Sequence, residues 1–240
     1  MRFPRLVSAL DRAWYPGVES HWDDRAFRGL ILTHLPADAR VLDVGAGAGI
    51  VAAMDLRGQA AHIIGVDPDP RVAVNPYLHE AHVGLADAMP FLATASIDVA
   101  VSDNVFEHVA HPEPFLRELH RVVKPGGLLL AKTPNRRHYM PLIARLTPHA
   151  FHRFVNRLRG RQEADTFPTR YNLNTSKDLR RWAAATGWEV IHLETLENRP
   201  EYLRISALTY PLGFAWERLV NGLGWNALKI VQMSVMRRLP

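Results

Sequence analysis

Short apolar runs alternate with longer amphipathic stretches along the first half of the chain. Five of these runs read as strands: Arg40–Val44, His62–Asp67, Ala81–Ala86, Ile97–Ser102 and Leu128–Lys132. Between them the spacing predicts helix near Ile50–Gly58, Asn104–His108 and Pro114–Val123. Strands that are apolar along most of their length, separated by helices, predict a parallel sheet covered on both faces.

Residues 1–38 read as an N-terminal helical cap anchored by Trp14, Tyr15, Trp22, Phe27, Leu30 and Ile31, and Leu35-Pro36-Ala37-Asp38 as the turn into the first strand. After Pro134 the pattern changes. Tyr139, Leu142, Ile143, Leu146, Phe151, Phe154, Val155 and Leu158 recur at helical spacing, interrupted by Thr147-Pro148, a cap followed by a first-turn proline. A loop spans Gly160 to Asn174. Thr175 then opens a helix that Gly187 ends. Trp188–Leu193 reads as a strand, Phe214–Val220 as a helix and Ile230–Val235 as the last strand. The fold expected is α/β: a Rossmann-like, doubly wound, mostly parallel seven-stranded sheet with a helical insertion after strand five. One domain over 39–240, carrying a substrate-facing insertion at about 135–187, follows the cap.

A chain of 240 residues, 48 % hydrophobic, is long enough for a real core. The absence of cysteine removes disulfides, thiolate metal sites and cysteine nucleophiles, and with them a cytosine C5-methylating mechanism. No signal peptide and no membrane span are expected, which suggests the cytoplasm. The net charge of +5 is uneven. Residues 135–181 carry eleven Lys/Arg against three Asp/Glu, and the rest of the chain is slightly acidic. A basic segment of this kind suits an acidic partner, or is a solvated helical face.

The first strand runs into Asp43-Val44-Gly45-Ala46-Gly47-Ala48-Gly49, and the second ends in Asp67. Glycines at such a turn let a ligand approach the backbone, and an acidic residue ending strand two can accept two ribose hydroxyls. The dinucleotide fingerprint requires a glycine where this chain has Ile50. The spacing here is Gly-x-Gly-x-Gly, preceded by Asp43, where a carboxylate would meet a cationic ammonium group. Asp87 follows strand three in Gly84-Leu85-Ala86-Asp87-Ala88-Met89-Pro90. Ser102-Asp103-Asn104-Val105-Phe106-Glu107-His108-Val109 closes strand four, and Glu118 to Gly127 leads into strand five.

Taken together, these segments resemble class I S-adenosylmethionine-dependent methyltransferases, and within them the type 11 branch, which includes small-molecule and quinone-biosynthesis enzymes. The resemblance covers residues 39–134 and extends more loosely to the end of the sheet. It implies S-adenosyl-L-methionine as cofactor. Asp43 and the backbone of Gly45, Gly47 and Gly49 would hold its methionine end, Asp67 its ribose, Asp87 and the Ala88 backbone its adenine. The Ser102 carbonyl or Asp103 would contact its ammonium group. Two other readings stay open: an NAD-dependent oxidoreductase, and a non-catalytic subunit that keeps the fold.

Transfer of a methyl group to a hydroxyl benefits from a base near neutrality, a role that suits histidine. His108, one short turn past strand four, is the first candidate; its alternative role is to pack that loop. His138 and Tyr139 after strand five, and Glu107, are further candidates. His108, His111 and His120 lack the spacing of a metal site, so no metal is expected. Asn75-Pro76 reads as a turn.

Substrate contacts are expected from the basic insertion, where arginine's planar fork suits phosphate or carboxylate. Arg136 and Arg137 lie at its start. Asp165 to Tyr171 is read as a lid, with Phe167 and Tyr171 as walls and Arg170 as an anion contact, or else as a structural loop. Similar insertions in bacterial polysaccharide and glycolipid methyltransferases suggest O-methylation of a small anionic or sugar-like acceptor, lipid-linked or nucleotide-linked. The stretch 139–158, with Phe214, Trp216, Leu219, Leu223 and Trp225 near Arg218 and Lys229, offers either core or a peripheral membrane surface. No nucleic-acid-binding module is present in the sequence, and the oligomeric state is open.

Overall fold

The computed structural model describes residues 4–18, 22–146 and 168–240. Its order is α1 (Pro4–Trp14), α2 (Asp23–His34), β1 (Arg40–Val44), β2 (His62–Asp67), β3 (Glu80–Val83), β4 (Ile97–Asp103), α3 (Pro112–Val122), β5 (Val123–Pro134), α4 (Tyr139–Leu146), α5 (Ser176–Ala185), β6 (Trp188–Leu196), α6 (Tyr210–Gly222) and β7 (Val231–Arg238). The strands form one seven-stranded sheet in the order β3-β2-β1-β4-β5-β7-β6. β1 pairs in parallel with β2 and with β4, β2 with β3, and β4 with β5. The strand order therefore reverses between β1 and β4, the place where doubly wound sheets take ligands.

The chain divides into two compact units. One comprises Met1–Asp23, Asn135–Pro168 and Thr195–Val231; the other comprises Asp24–Pro134, Thr169–Glu194 and Gln232–Pro240. The sheet core belongs to the second unit. Leu42, Val44, Ile64, Val66, Ala100 and Leu129 meet Phe106, Leu116, Leu119 and Trp188 in one buried cluster. In the first unit Val7, Ala207 and Tyr210 form a smaller cluster with Leu10, Trp14 and Tyr15. No helix among the described residues is long and apolar enough to cross a membrane.

Several local expectations change; β3, expected over Ala81–Ala86, spans Glu80–Val83. The stretch Ile50–Gly58 holds only a single 3-10 turn, Ala52–Met54. Gly49 and Gly58 bound it with positive φ, and Arg28 of α2 takes the Ala53 and Asp55 carbonyls at 2.8 and 2.6 Å. Carbonyls satisfied from outside do not need a continuing helix. Asn104–His108 is a turn, opened by Asn104 at φ +55° and closed by the His108 N–H on the Val105 carbonyl at 2.8 Å. β5 starts earlier than its apolar run, because Val123 already pairs with Ile97. The register then shifts and resumes at Val99 with Leu128, so Pro125-Gly126-Gly127 is a bulge inside the strand. The cap expected of Thr175 is present: its hydroxyl accepts the Asp178 N–H at 3.1 Å.

Candidate active site

Three adjacent strands end in a carboxylate. Asp67 closes β2 and Asp103 closes β4, and Asp43 lies between them near the end of β1. Parallel pairing places these ends on one edge, so the sequence positions become a spatial cluster only through the strand order.

The glycine turn is built to stay open. Gly45, Gly47 and Gly49 all have positive φ, which β-carbon-bearing residues rarely adopt. A β-carbon on Gly45 would lie 2.2 Å from Val105, and one on Gly49 would lie 2.4 Å from the Asn75 side-chain oxygen. Around Gly47 that space is empty. Asn75 clamps the turn, its Nδ2 donating to the Ala46 and Gly47 carbonyls at 2.9 and 3.2 Å. Asp67 completes it, accepting the Gly47 N–H at 2.9 Å on one oxygen and the Asp69 N–H at 2.7 Å on the other. Each oxygen retains a lone pair for a ligand hydroxyl.

Asp43 is different. It is buried, and it accepts no hydrogen bond from the described residues. Burial first, then the neighbouring charges of Asp103 and Asp67, push its carboxyl up to about 7. Asp103 is held by Asn104, whose Nδ2 donates to it at 2.8 Å, and by the ammonium group of Lys132 at 3.0 Å. Lys132 is fully buried and also bonds Asp24 at the start of α2. Ser102, beside Asp103, is buried, and its hydroxyl has no partner among the described residues. A buried carboxylate without a donor, beside two anchored carboxylates, fits a ligand that brings a cation and a diol.

A second polar row lies at the ends of β4 and β5. Asn174 donates to the Thr133 hydroxyl at 2.6 Å, and Thr133 donates to the buried Glu107 carboxylate at 3.0 Å. Burial raises the Glu107 pKa. The Glu107 carbonyl receives the N–H groups of Arg170 and Tyr171 at 2.6 and 3.1 Å. His108, about one third exposed, places Nε2 4.0 Å from the Glu107 carboxylate. The row thus brings His108 beside Glu107, Arg170 and Tyr171 within the second unit.

Comparison with known proteins fits this geometry. A family model described as "Methyltransferase domain" matches residues 20–193. The chain belongs to this methyltransferase family. An uncharacterized methyltransferase of Mycolicibacterium gilvum is 35 % identical over 159 residues, 61 % of each chain. A ubiquinone biosynthesis O-methyltransferase of Maricaulis maris is 35 % identical over 121 residues, 47 % of this chain and 44 % of that one. The chain spans about three fifths of the length of such curated relatives or less. Among solved structures, the [4+2]-cyclase SpnF shares the fold at TM-score 0.60 and 17 % identity, over 98 % of this chain and 93 % of that one. A putative sarcosine dimethylglycine methyltransferase of Galdieria sulphuraria does so at TM-score 0.59 and 16 % identity, over 98 % of both. A geranyl diphosphate C-methyltransferase of Streptomyces coelicolor, solved with S-adenosyl-L-homocysteine, does so at TM-score 0.56 and 14 % identity, over 89 % of this chain and 78 % of that one. The sheet has the fold of class I methyltransferases, the family whose cofactor is S-adenosyl-L-methionine.

For this methyltransferase the remaining expected site residues fall in different places. Asp87 is exposed just past β3. The Ala88 N–H closes a turn on the Leu85 carbonyl at 3.3 Å. That loop is tied to α3, where Glu118 accepts the Met89 N–H at 2.7 Å and Arg121 donates to the Met89 carbonyl at 2.9 Å. In the first unit, His138 uses both ring nitrogens: Nδ1 accepts the Met140 N–H at 3.3 Å, and Nε2 meets Glu197 at 3.2 Å. Glu197 also accepts the Ile230 N–H at 2.7 Å. Burial pushes the Tyr139 hydroxyl above its ordinary range, and it has no partner among the described residues. Arg136 and Arg137 are exposed in that same unit. Phe167 and the rest of Asp165–Phe167 lie outside the described residues.

Several contributors escaped the sequence reading. Asn75 looked like an ordinary turn residue, yet it holds the glycine loop from 28 and 29 positions away. Lys132, Asp24, Thr133 and Asn174 carried no motif. The one available signal was a lysine inside an otherwise apolar strand, because a buried lysine demands partners.

Proposed function

We propose that this protein is an S-adenosylmethionine-dependent methyltransferase that methylates an oxygen of a small anionic or sugar-like acceptor. The observation that carries the reading is the carboxylate edge, in which Asp43 is buried without a hydrogen-bond donor among the described residues, between two anchored neighbours. The cofactor supplies an electrophilic methyl group on a sulfonium, which is the difficult part of the chemistry.

The chain's own residues do the rest. Asp43 and Asp103 face the positive end of the cofactor, and Asp67 takes the ribose hydroxyls. Asn75 keeps the glycine turn in the shape that admits them. His108, at the exposed end of the Glu107 row, receives the acceptor's hydroxyl proton while the oxygen takes the methyl group. Glu107 lies behind His108, its carboxyl 4.0 Å from Nε2. Arg170, fixed through its backbone to Glu107 and exposed at its side chain, supplies a positive contact for an anionic acceptor. The O-methyltransferase name of the Maricaulis maris relative is in keeping with this choice.

The test has two stages. Calorimetric titration with S-adenosylmethionine, S-adenosylhomocysteine and NADH should give binding for the two sulfur compounds only. Binding of NADH alone would overturn the reading and return the glycine turn to a dinucleotide. Methyl-labelled cofactor is then offered with sugars, lipid-linked sugars and phenols. His108→Ala should lower turnover while leaving cofactor affinity intact; wild-type turnover would remove His108 as the base.

A further inference from the structure

α6 presents an apolar face on each side. Tyr210, Gly213, Glu217 and Val220 point into the first unit and are buried. There Trp14 stacks on Phe214 at 4.5 Å between ring centroids, and Tyr15 lies against Tyr210 at 6.1 Å. The helix therefore already has its core contact. The opposite side of such a helix is ordinarily polar. Here it carries Leu212 and Leu219, 67 and 47 % exposed; Leu223, which follows the helix as its C-cap, is 55 % exposed, and the three stand at i, i+7 and i+11. Leu208, 73 % exposed, lies one turn before Leu212, and Trp225, 45 % exposed, follows Leu223. A contiguous stripe of this kind marks a contact surface.

The charges around the stripe select the occupant. Between residues 205 and 231 the only acidic residue is Glu217. It faces inward, accepting from the Tyr15 hydroxyl at 3.1 Å and from Asn221 at 2.6 Å. Arg218 reaches back to Glu217 at 3.3 Å and to the Trp14 carbonyl at 3.2 Å, yet its side chain stays 55 % exposed. Lys229 follows the stripe at its C-terminal end. The surface of this segment thus offers leucines, an indole and two cations, and no exposed carboxylate. A second copy of the same stripe would bring no acid of this segment to meet those cations. Anionic headgroups above an acyl layer would meet both the cations and the leucines, with the indole at the boundary.

We propose that the exposed face of α6, Leu208 to Trp225 with Arg218 and Lys229, docks this protein onto an anionic membrane surface. The leucines enter the acyl boundary and the cations stay among the headgroups.

Vesicle flotation of the full chain tests this with phosphatidylcholine alone and with phosphatidylcholine containing phosphatidylglycerol. Recovery with the anionic vesicles should be tenfold or more higher. Leu212→Glu with Leu219→Glu should abolish that recovery, and Arg218→Gln with Lys229→Gln should remove the preference for anionic lipid. Leu212 and Leu219 are exposed, so the leucine pair should leave melting temperature unchanged, and cofactor affinity should be unchanged in both variants, which separates this test from that of the proposed activity. Failure to float with either vesicle would overturn the proposal. So would flotation unaffected by the leucine pair, or a dimer in light scattering that the leucine pair dissociates without any vesicle binding.

Discussion

Two buried carboxylates, one in each compact unit, show how differently the same chemical group can be used. Glu197 in the first unit meets His138 with one oxygen and the Ile230 N–H with the other. Its charge is consumed in holding three chain segments together. Asp43 in the second unit is as deeply placed, but among the described residues it has no donor, and it has two acidic neighbours. A satisfied buried carboxylate is architecture. An unsatisfied one, kept at a real cost in desolvation, marks a candidate ligand site.

The contrast yields opposite predictions for substitution. Glu197→Ala leaves the His138 ring N–H and the Ile230 N–H unpaired, and should cost about 4 kcal/mol of stability in urea denaturation. Cofactor affinity, measured by calorimetry on the fraction still folded, should not change; a tenfold loss would mean that Glu197 takes part in the site. Asp43→Asn should do the reverse. Affinity for S-adenosylmethionine should fall about 100-fold, roughly 3 kcal/mol. The ligand-free protein should melt higher, because a buried charge has been removed. A lower melting temperature with unchanged affinity would make Asp43 a structural residue like Glu197.

The smallest effect expected is in the pH dependence. Between its ordinary value of 3.8 and about 7, Asp43 holds a proton in the folded chain that the unfolded chain has released. Stability from this group is therefore lost as pH rises through that window. Cofactor affinity should move the other way, increasing as the pH passes about 7 and Asp43 ionises. Glu107, whose pKa is also raised, adds to the stability slope in the same sense. Melting and titration series in Asp43→Asn should show a shallower stability slope and no gain in affinity. An unchanged affinity profile would assign the titration to another group.

Much of the carboxylate edge was legible in the chain. Asp43, the three glycines and Asp67 sit where a strand gives way to a turn, and local backbone requirements restrict such positions to few residue types. β1 and β2 have the bounds that their apolar runs define. Helix was misjudged over Ile50–Gly58, because Arg28 captures carbonyls there from a separate helix, a contact no local pattern records. β5 was drawn too short, because its bulge at Pro125-Gly126-Gly127 looks like a strand boundary in sequence. The acceptor side was least legible. His138 and Tyr139 look like His108 in sequence, polar aromatics just past a strand, and only their partners distinguish them.

The sequence by itself determined the strand-turn-helix alternation, the open glycine turn and the acidic residues that end successive strands. These depend on period, backbone freedom and residue type, all of which are local. The tertiary structure decided which carboxylate is left without a partner and which is consumed. It also decided that Asn75 and Lys132 hold the site, and that a leucine stripe faces outward. Those outcomes depend on what lies across space, and burial and hydrogen bonding between distant segments exist only once the strands are ordered.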